Sequence, residues 1–252
     1  MDYVAIISPA KSLSDHVEEQ AKYTPSFMLK AKRVNETLRQ FSPQDLMKLQ
    51  SISQNLAELN ADRNVHWSAE KHQDGTPALF TFNGDVYRGI DATTLSERAK
   101  KEADDALLIL SGLYGVLRAY DAVLPYRLEM GTKLPVGKAK DLYQYWRRDV
   151  SEQISKFVGN RTLINLASAE YSKAINRKAM MRPVMDVEFK DFSKGTYKVV
   201  GVYAKKARGL FTRFLLEERP KTIRELQQFD TEGYYWSSEA STDSKMVFLR
   251  GK

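Results

Sequence analysis

The segment LSGLYGVLRAYDAVLPYRLEMG, residues 110–131, follows a short apolar run and combines three glycines with two arginines and two acids. Gly112 and Gly115 allow the backbone to take a positive φ or to approach another group closely, because glycine has no Cβ. Arg127 and Glu129 add charge beside the tyrosines of the segment. A plain connecting loop needs none of this mixture. We therefore interpret residues 106–110 as a central strand and the segment after it as the wall of a cleft.

Composition narrows the class of protein. The 252 residues are 42% hydrophobic and 28% charged, as in an ordinary globular protein. The chain has no cysteine, which excludes disulfides, iron–sulfur ligation, thiolate zinc sites and thiol redox catalysis. Its N-terminal apolar run lacks a basic lead-in, and no window approaches the roughly 20 apolar residues of a membrane span. We expect a soluble cytoplasmic monomer with no membrane partner.

The positive charge is concentrated in one region. The net charge is +7, and residues 172–213 hold eleven Lys and Arg against three acids. A localised basic region suits a polyanionic partner. A solvated basic face is the alternative explanation.

Apolar periodicity, caps and turn signals place helices and strands in a mixed order. No repeat or linker divides the chain, so we expect one α/β (mixed α+β) domain over residues 1–252, with a mixed sheet covered by helices. The predicted strands are residues 3–8, 79–82, 106–110, 162–166, 184–192, 197–203, 234–236 and 246–249. The predicted helices are residues 25–39, 43–62, 94–102, 141–158, 169–175, 210–218 and 222–229.

The stretch LQSISQNLA, residues 49–57, follows the register of a helix-hairpin-helix, whose usual form is L-P-G-I-G-x-x-x-A. In that motif a tight turn between two helices exposes backbone N–H groups to a nucleic-acid phosphate. Ser51 and Ser53 replace both glycines and Gln50 replaces the proline, so the turn would cost serine more than glycine. Residues 43–62 are thus a candidate helix-hairpin-helix, and one continuous amphipathic helix is the alternative.

Two further motifs indicate anion binding. YAKKARG, residues 203–209, places Lys205, Lys206 and Arg208 between a predicted strand and a predicted helix, and Arg can bind phosphate with two hydrogen bonds. A basic surface helix is the alternative. Ser8-Pro9-Ala10-Lys11 matches the S-x-x-K spacing of serine acyl-transfer enzymes, but the companion motifs S-D-N and K-T-G are absent. We therefore favour Lys11 as a phosphate-binding lysine in a loop.

Other polar residues are weaker candidates. His66, Glu70 and His72 match no zinc pattern, so we expect surface residues and no metal site. Three acids lie in turns rich in glycine, tyrosine and arginine, which makes them candidates for acid and base catalysis. Ion pairs with Arg88, Arg118 or Arg127 are the structural alternative. The three acids are Asp85, Asp121 and Glu129.

A series of blocks resembles, in order and over nearly the whole chain, the YaaA peroxide-stress family. One departure is Ala119, where the family usually has a proline. The blocks are ISPAKSL (7–13), FNGDVYRG (82–89), LSGLYGVLRAYD (110–121), PYRLEMG (125–131), KDLYQYW (140–146), INLASAEY (164–171), YAKKARG (203–209) and EGYYW (232–236).

This resemblance implies a cytoplasmic bacterial protein of the hydrogen peroxide response that limits damage from unincorporated iron. It also implies a family-specific fold with a helix-hairpin-helix and a positively charged cleft that binds duplex and branched DNA. It implies no reaction and no cofactor. Phosphates would meet the amides around Ser51 and Ser53 and a basic cleft formed by Lys11, Arg88, Arg127, Lys205, Lys206 and Arg208.

A second function stays open at this point. The number of polar turns flanked by glycine also suits an enzyme acting on a nucleotide or another phosphorylated small molecule in the same cleft, with Asp85, Asp121 or Glu129 as acid and base. Direct iron sequestration has little support, because three histidines and no cysteine leave mainly oxygen ligands.

Overall fold

The computed structural model of the chain describes residues 2–251. Within them the strands are β1 (Tyr3–Ile7), β2 (Ser12–Leu13), β3 (Thr76–Pro77), β4 (Phe82–Asn83), β5 (Leu107–Ser111), β6 (Gly115–Arg118), β7 (Ala122–Val123), β8 (Thr162–Asn165), β9 (Val184–Ser193), β10 (Thr196–Lys198), β11 (Tyr234–Trp236) and β12 (Lys245–Arg250). The α-helices are α1 (Met28–Leu38), α2 (Pro43–Gln50), α3 (Gln54–His66), α4 (Ala78–Thr81), α5 (Asp85–Ile90), α6 (Glu97–Ala106), α7 (Leu142–Val158), α8 (Ala169–Ser172), α9 (Gly201–Glu218) and α10 (Ile223–Leu226).

An eight-stranded sheet organises the molecule. Its order is β11-β12-β9-β8-β1-β5-β6, and β10 also pairs with β9. The strands β12, β9, β8, β1 and β5 run parallel to their neighbours in this group, and β11, β10 and β6 are antiparallel additions. Numbered along the chain, the five parallel strands stand in the order 2-1-3-4-5, which is the order of flavodoxin-like doubly wound sheets. The predicted mixed α/β class is confirmed.

The middle of the sheet is buried on both faces. Every residue of β1 and β5 is buried, and alternate side chains of a strand point to opposite faces. Two groups of helices supply the cover: α5, α6 and α9 pack together, and α1 and α7 pack together near α2 and α3. Arg98 of α6 donates to the carbonyl of Glu217 in α9 at 2.6 Å, and Tyr145 of α7 donates to the carbonyl of Lys30 in α1 at 3.0 Å. Among residues 2–251, no helix is both long enough and apolar enough to span a lipid bilayer.

Elements with a strong local signal are confirmed. The predicted strands 3–8 and 162–166 are β1 and β8, and the helix predicted at 141–158 is α7. Asp141 caps α7 by accepting a hydrogen bond from the backbone N–H of Gln144 at 2.8 Å. Trp146, Val150 and Ile154 lie on its buried face, as the four-residue apolar step predicts. The helices predicted at 25–39, 94–102, 169–175 and 222–229 are present with shifted ends.

Three predicted elements are wrong in part. Residues 79–82 belong mainly to the helical turn α4, because a four-residue apolar run has no distinguishing period. The strand β5 lies one position from the sheet edge rather than at the centre. The strand predicted at 197–203 ends at Lys198 and α9 begins at Gly201. Val202 and Tyr203, which favour a strand by composition, are instead exposed on α9.

The candidate helix-hairpin-helix is divided at residues 51–53, which we call the hairpin turn. Ser51 has φ +52°, in the left-handed region, and ends α2. Ser53 has φ −67° in extended backbone and begins α3. The continuous-helix alternative is therefore wrong. The expected conformational cost falls on Ser51 alone, since only that serine occupies a region that favours glycine.

The helices α5 and α9 cross at two glycines. A Cβ on Gly209 would lie 1.9 Å from the carbonyl oxygen of Val86, and a Cβ on Gly89 would lie 2.4 Å from the carbonyl oxygen of Lys206. Both obstacles are backbone atoms, so no side-chain rotation relieves them. The sequence blocks 82–89 and 203–209 each end at one of these glycines, and the crossing brings their charged residues together.

We expect Ser51→Gly to stabilise the protein by about 0.5–1 kcal/mol, because glycine adopts the left-handed conformation without the Cβ penalty. Urea denaturation followed by circular dichroism measures the change. Ser53→Gly is the matched control and should give no stabilisation, because φ there is already negative. Equal stabilisation by both substitutions would contradict the assignment of strain to Ser51.

Gly209→Ala should destabilise the protein by about 2–3 kcal/mol, because the new methyl group would force the backbones of α5 and α9 apart. Gly201→Ala, in the first turn of the same helix, is the control: no atom lies within 4 Å of its added Cβ. We expect that control to be neutral or to stabilise by up to about 1 kcal/mol. Thermal and urea unfolding of both variants test the close crossing.

Candidate functional site

A cavity of about 380 Å³ opens at the carboxyl ends of β1 and β8. These strands lie side by side where the order of the parallel strands reverses. Ligands of doubly wound sheets bind outside the carboxyl ends of the strands at that reversal. We call this cavity the switch-point pocket. Its charged lining residues are Lys11, Asp85, Arg88, Glu129, Glu170, Lys205 and Arg208.

The floor of the switch-point pocket is formed by the residues that directly follow β1 and β8. The backbone N–H of Ser168 donates to Ser8 Oγ at 2.9 Å, and Tyr87 Oη donates to the carbonyl of Ser8 at 3.0 Å. Lys11 Nζ lies 2.8 Å from Glu129 Oε2. Lys11 is thus paired with an acid, and the geometry does not support a role for it in activating Ser8.

Three remote segments provide the charged walls. The helix α5 contributes Asp85 and Arg88, α9 contributes Lys205 and Arg208, and the segment 110–131 contributes Glu129. The motif YAKKARG thus lies within a helix rather than between a strand and a helix, which corrects its predicted setting. Of the segment 110–131, only Glu129 lines the switch-point pocket, and most of the other residues are buried.

Arg127 lies beside the switch-point pocket. It lines a small adjoining cavity that shares Lys11, Glu129 and Tyr171 with the pocket. Gln50 Nε2, directly before the hairpin turn, donates to the carbonyl of Arg127 at 3.1 Å. This hydrogen bond connects the residue before the hairpin turn to the backbone of Arg127.

Some site residues escaped the sequence reasoning. Burial and, next, the charge of Arg127 lower the pKa of Arg63 on α3, so the two guanidinium groups lie near each other. No motif marks Arg63, which occupies an ordinary position in a polar helix. Glu170 accepts a hydrogen bond from the backbone N–H of Gly131 at 2.8 Å and lines the pocket. Its only sequence signal is its place in the block INLASAEY.

Most charges of the switch-point pocket are paired. Asp85 forms an ion pair with Arg88, and Glu129 lies 2.8 Å from Lys11 and 3.6 Å from Arg127. The expected alternative of structural ion pairing is thus realised for these two acids, within the pocket itself.

Two cations of the pocket remain without an acidic partner. No carboxylate oxygen of residues 2–251 lies within 4 Å of the charged nitrogens of Lys205 or Arg208. Burial lowers the pKa of Arg208. Lys206 instead pairs with Glu232 and does not line the pocket. The three basic residues of YAKKARG therefore differ in their surroundings.

Asp121 is not part of this site. It is buried at 1% exposure, and its Oδ2 accepts a hydrogen bond from the backbone N–H of Arg118 at 2.9 Å. The guanidinium of Arg118 pairs with Asp104 at 3.1 Å and lies over the ring of Tyr23. Of the three candidate acids, the structure brings together Asp85 and Glu129, and it places Asp121 in the interior.

His66, Glu70 and His72, which match no zinc pattern, contact separate partners. His72 Nε2 lies 2.7 Å from Thr24 Oγ1, and Glu70 pairs with Lys32 at 2.9 Å. Across residues 2–251, no three His, Cys, Asp or Glu side chains are grouped in a way that could hold a metal ion.

The basic region 172–213 does not form one patch. Arg177 pairs with Asp186 at 2.6 Å, and Lys190 lies 3.4 Å from Glu188. These residues lie on or beside β9, whereas Lys205 and Arg208 lie on α9. Composition alone therefore overstates the local charge, and only part of it faces the site.

Comparison with known proteins identifies the family. The family model described as peroxide stress protein YaaA matches residues 3–240. The chain belongs to the YaaA peroxide-stress family. The UPF0246 protein of Idiomarina loihiensis is 43% identical over 255 residues, which cover 99% of both chains. The UPF0246 proteins of Shewanella amazonensis and Aliivibrio fischeri are 42% and 41% identical, covering 98% and 97% of each chain.

Membership of the YaaA family confirms the resemblance seen in the sequence blocks. The matched range includes every segment that lines the switch-point pocket. Membership of this family associates the chain with peroxide stress.

Asp121 provides a test through pH. Burial raises the pKa of its carboxyl to about 7, above its ordinary value near 4. The folded protein therefore binds more protons than the unfolded chain between about pH 4 and pH 7, and its contribution to stability falls as the pH rises through that range. Asp121→Asn keeps an oxygen acceptor for Arg118. It should be more stable than the wild type at pH 8 by on the order of 1–3 kcal/mol, and the difference should shrink towards pH 4. Urea unfolding at several pH values measures this, and a pH-independent difference would contradict the burial argument.

Proposed function

We propose that this protein binds DNA in the peroxide stress response, through contacts to the phosphate backbone. The supporting observations are the switch-point pocket, the small cavity beside it that Arg127 lines, and the hydrogen bond from Gln50, next to the hairpin turn, to the carbonyl of Arg127. We propose that these features and Arg63, whose charge interacts with that of Arg127, form one surface. We call this surface the groove. Five segments that are far apart in the sequence contribute to it, those of Lys11, Arg63, Arg88, Arg127 and Lys205.

Cations follow one another along the groove. Lys11 and Arg88 are paired with acids, yet their side chains are 61% and 64% exposed. Each of these side chains has more N–H donors than one carboxylate contact uses, so Lys11 and Arg88 can bind a phosphate while they stay paired. Lys205 and Arg208 have no such carboxylate partner among residues 2–251. The cations of the groove are Lys11, Arg63, Arg88, Arg127, Lys205 and Arg208.

The hairpin turn offers amide donors in addition to cations. No side chain caps the N-terminus of α3, although Ser53 occupies the capping position. The first N–H groups of a helix lack partners within the helix and favour anions. By contrast, Ser42 and Asp45 form a complete capping box at α2. The amides after Ser53 are therefore available for a phosphate.

Binding of this kind would be independent of base sequence and sensitive to salt, because backbone phosphates carry no sequence information. It also supplies a link to iron-dependent damage. Each phosphate that a protein cation neutralises releases condensed counterions, and ferrous ions held at the backbone would be displaced with them.

We expect Lys205→Ala to weaken duplex binding and to reduce the slope of log affinity against log salt by about 0.9, the value for one lost phosphate contact. Lys206→Ala is the matched control, because it removes the same charge from the next residue of α9, outside the groove. Fluorescence anisotropy with a labelled duplex at several salt concentrations measures both. Equal losses in the two variants would contradict the groove and indicate a general charge effect.

A further inference from the structure

The arginine at position 208 is difficult to explain as a purely structural residue. Its side chain is half-buried; burial lowers its pKa and the charge of Glu188 partly offsets this, and no carboxylate of residues 2–251 lies within 4 Å of its charged nitrogens. Even partial removal of a charge from water is costly when no ion pair offsets it. The side chain lines the switch-point pocket, so a ligand in that pocket can supply the missing negative charge.

The ion pairs of the pocket indicate which cations face the ligand. Lys11 and Arg88 are balanced by Glu129 and Asp85, which leaves Lys205 and Arg208 as the unpaired cations. A phosphate monoester carries a charge of about −1.5 to −2 at pH 7, and a backbone diester carries only one negative charge per phosphate. Because Glu170 also lines the pocket, the lining has a net charge of +1, and the preference for a monoester rests on its three terminal oxygens, which can contact Lys205 and Arg208 together.

The opposite wall restricts the rest of the ligand. Asp85, Glu129 and Glu170 present carboxylates to the cavity, and carboxylates accept hydrogen bonds from sugar hydroxyls. The same three carboxylates repel a second or third phosphate. The cavity volume of about 380 Å³ lies within the range of roughly 300–1,000 Å³ for small-molecule sites.

We propose that the switch-point pocket binds a nucleoside 5′-monophosphate, with the phosphate on Arg208 and Lys205 and the sugar hydroxyls facing the carboxylates. The ligand is either a free nucleotide or the phosphorylated end of a DNA strand. This site goes beyond the backbone contacts of the groove, and it does not require duplex binding.

Isothermal titration calorimetry of the full chain with AMP, ATP, adenosine and inorganic phosphate tests the inference. AMP should bind most tightly, because adenosine lacks the phosphate, inorganic phosphate lacks the sugar, and ATP meets the carboxylate wall. AMP should also raise the melting temperature by mass action. Tighter binding of ATP than of AMP would overturn the inference, since an unspecific basic surface prefers the larger charge.

Three variants test whether Arg208 and Lys205 bind the phosphate of AMP. Arg208→Gln should weaken AMP binding by about tenfold or more, as expected for the loss of charge-assisted hydrogen bonds. Lys205→Ala, at an exposed position, should weaken AMP binding in the same direction and serves if Arg208→Gln does not fold. Lys206→Ala should leave AMP affinity unchanged. Unchanged affinity in folded Arg208→Gln and Lys205→Ala proteins would overturn the site.

Competition separates the two sources of the nucleotide and the two proposals. Displacement of AMP by a 5′-phosphorylated duplex and not by a 5′-hydroxyl duplex would identify strand ends as the ligand, whereas displacement by neither would identify free nucleotides. Equal displacement by both would overturn the monoester site. Salt-sensitive duplex binding without any AMP binding would remove this inference and leave the groove. AMP binding without duplex affinity would support the nucleotide site and contradict the groove.

Discussion

The close crossing of α5 and α9 is the contact on which the site depends. Gly89 and Gly209 bring two backbones to a distance at which any Cβ would meet a carbonyl oxygen. Because each glycine ends a block that carries charges, this contact places Asp85 and Arg88 opposite Lys205 and Arg208. A larger residue at the crossing would push the two helices apart and so separate the two walls, although it would change none of the charged side chains.

The sheet decides where these walls stand. The order 2-1-3-4-5 of the parallel strands opens a crevice between β1 and β8, and the residues that follow these strands form its floor. Lys11 and Ser168 lie at the site because they follow β1 and β8 in the chain, and α5 and α9 form the sides of the pocket. The positive and negative charges of the pocket nearly balance. The ion pairs of Lys11 and Arg88 lie beside Arg208, which is half-buried and has no carboxylate of residues 2–251 within 4 Å.

Local signals explain which elements were predictable. The strands β1 and β8 and the helix α7 have apolar patterns that predict them from the sequence alone, and tertiary packing agrees with those patterns. At residues 197–203 the β-branched and aromatic composition favoured a strand. The chain is helical from Gly201 instead, because α9 packs on α5, and Val202 is exposed. Likewise, nothing local separates a helix broken at Ser51 from a continuous one, because the left-handed residue is a serine rather than a glycine.

The sequence by itself determined the mixed α/β class, the family and the residue types present: no cysteine, two charged blocks that end in glycine, and cations at Lys11 and Arg208. Only the tertiary structure decided which of these groups meet. Asp121 and Glu129 look alike in one segment, yet the chain buries the first against Arg118 and presents the second to the pocket. Lys205 and Lys206 are adjacent, yet only the first lines the pocket. The physical reason is that a side chain's direction depends on helix phase and strand order, which arise from packing between segments remote in the sequence.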